Sequence, residues 1–174
     1  MRILALILIL TSNNLISQEI KRIDADKSSI SYSGNHFLHK WSAENTNISG
    51  LINIDDERIT NIGVIAKVED FKSGNSSLDS NSFRVLEALK FPNIIFKSLK
   101  IMNLDEKVQI DGIIEFHGIE KSITVKVDLI QMKDMIGLNG EFTINLSDFS
   151  VDRPSLLLKK IDDKIIIIFD LYFS

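Results

Sequence analysis

Short stretches in which apolar and polar residues alternate run through most of this 174-residue chain. In one of them Ile62, Val64, Ala66 and Val68 share one phase, while Lys67 lies in the other. The same period of two recurs in residues 30–36, 108–116, 123–129, 138–146 and 165–173. Successive side chains of a strand point to opposite faces, so the pattern predicts antiparallel strands with one face on a core and the other in water.

The connections between these stretches are short. Turn signals separate them at Gly74-Asn75, Gly118, Lys133-Asp134 and Asp162-Asp163. Short connections place consecutive strands side by side, which favours an up-and-down order. A sandwich and a barrel both fit about eight strands, but a barrel leaves no sheet edge exposed to aggregation. We therefore expect an all-β fold, an antiparallel up-and-down barrel of about eight strands that encloses about the volume of one small elongated ligand.

One segment, residues 75–90, interrupts the alternation. Its apolar residues are spaced five, three and three apart, at Leu78, Phe83, Leu86 and Leu89. This spacing predicts one short helix over residues 82–90, capped by Ser80 or Ser82 and ended by Pro92. The strand pattern then resumes at residues 93–102. We expect the helix to close one end of the barrel.

The first 17 residues are typical of a secretory signal peptide. Arg2 precedes an unbroken apolar run at residues 3–10, and cleavage is expected between Ser17 and Gln18. A membrane anchor is the alternative, but a spanning helix needs about 20 consecutive apolar residues. We therefore expect one domain over residues 18–174 in a periplasmic or secreted protein without an integral membrane anchor.

Composition excludes several classes of function. The chain has no cysteine, which rules out disulfides, thiolate catalysis, cysteine-bound metals and the lipidated cysteine of a bacterial lipoprotein. Its 20 basic and 24 acidic residues give a formal charge of −4, and loss of Arg2 with the leader makes this −5. Nucleic-acid binding needs clustered lysine and arginine, so no nucleic-acid partner is expected.

Several landmarks follow one another in a recognisable order. Residues 28–36 form a serine-rich strand that ends in a histidine, and Gly50 follows after a stretch that contains Trp41. Residues 70–79 form a loop of serine, asparagine and aspartate that leads into the helix. The remaining landmarks are the aromatic-Pro-x-Ile-x-Phe-x-Ser strand at 91–98, Gly112 with residues 116–121, and residues 145–151 with Pro154. Together they resemble the YceI-like family, and the last is similar to a branch common in Bacteroidetes.

The resemblance implies an extended, lipocalin-like antiparallel barrel with a helix at one end. It also implies a long hydrophobic pore that holds a polyisoprenoid or other long-chain lipid, with no catalytic residues. The chain departs from the family at Leu146 and Ser150, where arginine and glycine are frequent, and at Gly34, where a larger apolar residue is usual. These positions bear on the shape of the cavity and hence on the ligand.

The candidate binding residues lie in the phase assigned to the interior. They are Tyr32, His36, Val64, Val68, Ile94, Phe96, Ile114, Phe116, Val125, Val127, Phe142 and Ile144. Burying a lipid tail among them contributes about 0.8 kcal/mol per methylene, which over a long tail exceeds any single polar contact. Selectivity is expected from polar groups near the mouth, for which Tyr32, His36 and the loop at residues 73–79 are the candidates.

No pattern for catalysis or metal binding stands out. His36 and His39 are three residues apart, and on one strand this spacing points them to opposite faces, so no metal site is expected. His117 has no acidic or histidine neighbour at ligand spacing, and the turn at Gly118 accounts for an exposed position. Asp55, Asp56 and Glu57 are interpreted as solvated residues of a hairpin tip.

Three functions remain open. The first is a non-catalytic carrier of a long-chain isoprenoid or similar lipid, with no cofactor. The others are an enzyme that uses His36 with Asp79 or Glu69, and a structural or interaction module whose barrel is filled by its own side chains. Edge closure favours a monomer, whereas outward Ile166 and Ile168 leave a homodimer open.

Overall fold

A computed structural model describes residues 18–36, 39–104, 107–156 and 158–174, with the side chains of His36, His39 and Leu156 excluded. The expected signal peptide at residues 1–17 lies outside this part of the chain. Ten strands form one antiparallel sheet in the order β1-β4-β5-β6-β7-β8-β9-β12-β2-β3. They are β1 (Glu19–Arg22), β2 (Ser29–His36), β3 (His39–Asn45), β4 (Ile48–Asp55), β5 (Arg58–Lys67), β6 (Asn93–Leu104), β7 (Lys107–Phe116), β8 (Ile119–Gln131), β9 (Ile136–Asn145) and β12 (Lys164–Phe173). A separate hairpin pairs β10 (Ser155–Leu156) with β11 (Lys159–Lys160).

The sheet curls, and backbone hydrogen bonds join its two sides. Arg22 at the end of β1 exchanges hydrogen bonds of 2.9 and 3.0 Å with Ser174, and the Asp24 N–H donates to the Tyr172 carbonyl at 2.8 Å. Since β1 also pairs with β4, these bonds link β4 to β12. On the other side, Glu44 of β3 pairs with Lys72. The predicted all-β antiparallel barrel with one helix is therefore confirmed, and β4 to β9 follow the up-and-down order.

The predicted number of strands, about eight, is wrong, because the sheet has ten. Three strands, β1, β3 and β4, lie outside the stretches in which the sequence alternates most clearly. In β3, only Trp41 and Ala43 are apolar. Two apolar residues are too few to produce a visible alternation. Pairing with β2 along its whole length, and not its own composition, makes this segment a strand.

The helix α1 covers Ser76–Val85, six residues earlier at its start than the spacing predicts. Its cap is Asn75 and not Ser80 or Ser82, because the Asn75 side chain accepts hydrogen bonds from the Ser77 and Leu78 N–H groups. Residues 86–90 form turns instead of a last helical turn. A first turn rich in serine has weak helix propensity, so the cap decides where the helix begins.

Buried side chains fill the two ends of the interior differently. At the end where β12 finishes, Phe173 and Val108 are fully buried within one cluster. At the end where β12 begins, Ile165 belongs to a second cluster, against which Val85 and Leu86 pack. We call the first the closed end and the second the helix end. The helix thus lies over one end of the barrel, as expected for a helix inserted between strands of the sheet.

Candidate binding cavity

A cavity of about 480 Å³ lies between the inner face of the sheet and α1. Its size is within the range of about 300–1,000 Å³ that small-molecule sites occupy. Leu138 and Leu171 form part of its lining near the closed end. Of the described residues that line it, Arg84 alone carries a formal charge. The arrangement can hold an apolar molecule, because its walls offer few partners for a polar one.

Most of the candidate residues line this cavity. They are Tyr32, Val64, Val68, Ile94, Phe96, Ile114, Phe116, Val125, Phe142 and Ile144. The strand register explains why they meet: Val64 lies opposite Phe96, and Phe96 lies opposite Ile114 on the next strand. Residues directly opposite each other share one face of the sheet. The inward residues of one strand therefore lie beside the inward residues of the next.

Val127 does not line the cavity, although it was expected to. It is 1% exposed and belongs to the cluster at the closed end, opposite Val108 on β7 and Gly140 on β9. The phase of the strand is right, but the Val127 side chain is packed among the buried residues of this cluster instead of facing the cavity. The side chain of the other candidate, His36, lies outside the described residues.

Sequence reasoning missed the wall that α1 contributes. Leu78, Ser82, Val85 and Leu86 of this segment line the cavity. Their spacings of four, three and one residues place them on one face of a helix. The sequence contains this signal, but the helix predicted from residue 82 onward begins too late to include Leu78. Segments outside the alternating stretches also contribute, through Trp41, Phe71, Val151 and Ile161.

Trp41 occupies space that Gly34 leaves open. The two residues are direct partners in the β2–β3 pairing, and both lie near the helix end. A β-carbon on Gly34 would come within 2.8 Å of the indole Cε2 and 2.9 Å of Ile165 Cδ1. The glycine that departs from the family pattern is therefore matched by a large aromatic ring in the wall. No described residue accepts a hydrogen bond from the enclosed Trp41 Nε1.

Tyr32 is one of the few polar residues of the wall. Its ring meets Trp41 edge-on at 5.6 Å between centroids and Phe71 at 5.2 Å. Burial raises the pKa of the Tyr32 hydroxyl, a hydrogen bond with Ser82 opposes this shift, and the charge of Asp79 adds to it. The hydroxyl therefore stays neutral and ties β2 to α1.

The loop at residues 73–79 does not supply the polar contacts expected of it. Asp79 accepts hydrogen bonds from the Ser73 N–H at 2.9 Å and from the Ser73 hydroxyl at 2.5 Å. These bonds lower the pKa of the Asp79 carboxyl. Of these seven residues, Leu78 alone lines the cavity. The polar groups of the loop fix the start of α1 instead of facing a ligand.

The side chain of His117 is almost fully covered, contrary to the exposed position expected from its turn. Its side chain is 9% exposed, its Nδ1 lies 2.9 Å from the Phe149 carbonyl oxygen, and its Nε2 lies 3.0 Å from Glu87 Oε2. The second contact is at ion-pair distance but lacks hydrogen-bond alignment. His117 does not line the cavity. It joins the turn after α1 to the turn that precedes the β10–β11 hairpin.

His36 and His39 are not on one strand. His36 ends β2 and His39 begins β3, and the two are paired across the hairpin. The side chains of both histidines lie outside the described part of the structure, so the expectation of opposite faces stays a prediction. Within the part of the chain that the structure describes, no group of three histidine, aspartate or glutamate side chains is placed to hold a metal ion. No helix among the described residues is both long and apolar enough to cross a membrane.

Comparison with known proteins identifies the family. A model of the YceI-like domain matches residues 22–173. The chain belongs to the YceI-like family. The match covers nearly all of the described barrel, which agrees with the resemblance of the landmarks. The Bacteroidetes branch stays a prediction. No curated protein was found to match the chain.

Solved structures share the YceI-like fold. BcnA of Burkholderia cenocepacia is similar with a TM-score of 0.79 at 19% identity, over 87% of this chain and 99% of that one. A polyisoprenoid-binding domain from Saccharophagus degradans has a TM-score of 0.75 at 12% identity, over 91% and 99% of the two chains. The YceI protein of Campylobacter jejuni has a TM-score of 0.58 at 21% identity, over 71% and 80%. At these identities the similarity shows the fold alone.

Proposed function

We propose that this protein binds a long-chain isoprenoid or similar lipid in its barrel cavity and carries or sequesters it without catalysis. The observation that supports the proposal is the cavity of about 480 Å³ with its almost uncharged wall. Moving an apolar tail from water into such a wall contributes about 0.8 kcal/mol per methylene. The related domain from Saccharophagus degradans is described as polyisoprenoid-binding, which agrees with this ligand class.

The wall at Leu146 favours an apolar ligand over a charged one. Leu146 is 6% exposed and lines the cavity. Many members of the family carry an arginine at this position, as the resemblance implies. A leucine in place of the arginine offers no partner to an anionic group of a ligand. Burying such a group without a partner would be costly. The tail therefore supplies most of the binding free energy in this proposal.

The direct test is native mass spectrometry of the mature protein, purified from a bacterial periplasm without detergent. We expect a discrete added mass that organic extraction recovers as a long-chain lipid. A protein that carries no lipid and refuses added isoprenoids would instead support the interaction module with a filled barrel. The same preparation tests the proposed export, because removal of residues 1–17 changes the mass of the chain.

An enzymatic role has little support from the cavity. Asp79 hydrogen-bonds to Ser73, and neither Asp79 nor Glu69 lines the cavity, so the pair considered with His36 is not assembled around it. An enzyme would lose turnover on His36→Ala while it kept its ligand. The carrier that we propose predicts no turnover in either form.

A further inference from the structure

The cavity reaches the protein surface between α1 and the β10–β11 hairpin. Arg84 on α1 and Ser155 on β10 both line the cavity and are exposed to solvent. Pro154 and Ile161, at the base of the hairpin, line it as well. We call this opening between α1 and the hairpin the mouth. A ligand that enters here passes between these two elements.

One fully exposed leucine follows α1 along the chain, and another lies on the β10–β11 hairpin. Leu89 lies three residues after Leu86, in the turns that follow α1, and is 104% exposed. Leu158 lies at the tip of the β10–β11 hairpin and is 101% exposed. Other outward leucines are partly covered, such as Leu104 at 56%. Neither Leu89 nor Leu158 contributes burial to the fold.

The backbone does not favour a leucine at the hairpin tip either. Leu158 has a φ of 66°, in the left-handed region that glycine and asparagine adopt most readily. A bulky side chain there makes the hairpin harder to form and finds no packing within the described chain to offset that cost. Leucine at this position is thus explained by something that the hairpin tip contacts outside the chain.

The charges beside the two leucines are paired locally. Lys90 lies 3.9 Å from Glu87, and Lys160 lies 3.3 Å from Asp152. These pairs leave no strong field of one sign, so electrostatic attraction does not select the partner. Lysines next to exposed apolar side chains are typical of segments that lie at a membrane surface, where the ammonium group stays among the head groups.

We propose that the mouth docks on a lipid bilayer, with Leu89 and Leu158 entering the boundary between head groups and acyl chains. This inference rests on the proposed function, because a lipid carrier exchanges its ligand with a membrane. Each methylene that must pass through water lowers the equilibrium population of the water-exposed tail about fourfold. A mouth held against the bilayer lets the tail move between membrane and cavity without that exposure.

Vesicle flotation of the mature protein with phosphatidylcholine vesicles, with and without phosphatidylglycerol, tests the docking. We expect the native protein to float with both kinds of vesicle. The double variant Leu89→Ser/Leu158→Ser should bind at least about tenfold less, because it removes two apolar side chains from the contact. The matched control is Leu104→Ser, since Leu104 pairs with Lys107 beside Val108 at the closed end. Its binding should stay within about twofold of native.

A second measurement does not depend on removing the leucines. Because the chain has no cysteine, Leu158→Cys and Leu104→Cys can each carry a single environment-sensitive fluorophore. We expect vesicles to shift the emission of the label at residue 158 to shorter wavelength and to leave that at residue 104 unchanged. No vesicle binding by the native protein, or equal shifts at both positions, would overturn the proposal and leave a protein partner as the occupant of the exposed leucines.

Failure of the docking is distinguishable from failure of the proposed function. Native mass spectrometry of the double variant reports whether lipid is still bound, independently of vesicles. Bound lipid without vesicle binding overturns the docking alone. Vesicle binding that is lost in the double variant, in a protein that never carries lipid, supports the docking and contradicts the carrier function.

Discussion

The Trp41 indole packs against the α-carbon of Gly34, so closely that a β-carbon at Gly34 would lie 2.8 Å from Cε2 of the ring. This contact places the single tryptophan of the chain in the cavity wall. Its fluorescence therefore reports both on the packing of this wall and on occupation of the cavity.

The change Gly34→Ala should displace Trp41 and lower the free energy of unfolding by about 1–3 kcal/mol, because the indole and the Ile165 side chain would both have to shift to make room for the added carbon. The matched control is Gly63→Ala on β5, where an added β-carbon meets nothing within 4 Å. Urea unfolding measures the stability, and the tryptophan emission maximum reports the ring. Equal stability of the two variants would show that the ring adapts without strain.

Reducing the cavity should weaken lipid binding. Val125 lines the cavity, whereas Lys126, next to it on β8, is exposed on the outer face. Val125→Phe places a ring into the space that a lipid tail would use, so we expect at least about a tenfold loss of affinity, equivalent to about 1.4 kcal/mol. The affinity is measured by adding the extracted lipid to the protein stepwise and monitoring the fluorescence of Trp41. Lys126→Phe should bind like the native protein, and an equal loss in both variants would contradict a role for this wall.

Truncating the Val127 side chain should lower the stability of the fold without changing the affinity for lipid. It is 1% exposed at the closed end, so Val127→Ala leaves a small void and should cost about 1–3 kcal/mol of unfolding free energy. Thermal and urea unfolding give this value, with Lys126→Ala as the surface control. Lipid affinity of the folded variant should match that of the native protein. Reduced affinity would contradict the position of Val127 outside the cavity wall.

The two contacts of His117 should contribute unequally to the free energy of unfolding. His117→Phe removes the partner of the Phe149 carbonyl oxygen at 2.9 Å, and an unsatisfied buried carbonyl costs about 1–3 kcal/mol. Glu87 is 49% exposed, so Glu87→Gln should cost less than about 1 kcal/mol. Urea unfolding of both variants checks the difference. A larger loss for Glu87→Gln would show that the ion pair, and not the carbonyl contact, holds the turn after α1.

The stability contributed by Asp79 should depend on pH. Hydrogen bonds from Ser73 hold the pKa of the Asp79 carboxyl below its ordinary value of 3.8. A lowered native pKa stabilises the fold above the unfolded pKa, and this contribution is lost as the pH falls through the native pKa. Asp79→Asn should therefore lower the melting temperature at neutral pH, and the difference from native should shrink below pH 3.8. A difference that stays constant with pH would contradict this origin.

The inner faces of the long strands could be predicted from the sequence, because alternation depends only on the residues of one strand. Each of Val64, Ile114, Val125 and Phe142 lies on the wall to which its phase assigned it. The apolar class of the cavity follows from the same information.

The start of α1, the contribution of β3 and the depth of the cavity were not predictable in this way. Asn75 caps the helix in place of the expected serines, and β3 is a strand because it pairs with β2. Val125 and Val127 have the same phase on β8, yet only Val125 lines the cavity.

The sequence by itself determined which side chains face inward, since the period of two is a local property of the backbone. Tertiary structure alone decided which of them touch a cavity and which fill the closed end. That outcome depends on how many side chains from different strands meet at one level of the barrel, as Val108, Val127 and Phe173 do within one cluster. It also depends on the placement of α1, whose residues complete the wall and, with the β10–β11 hairpin, form the mouth.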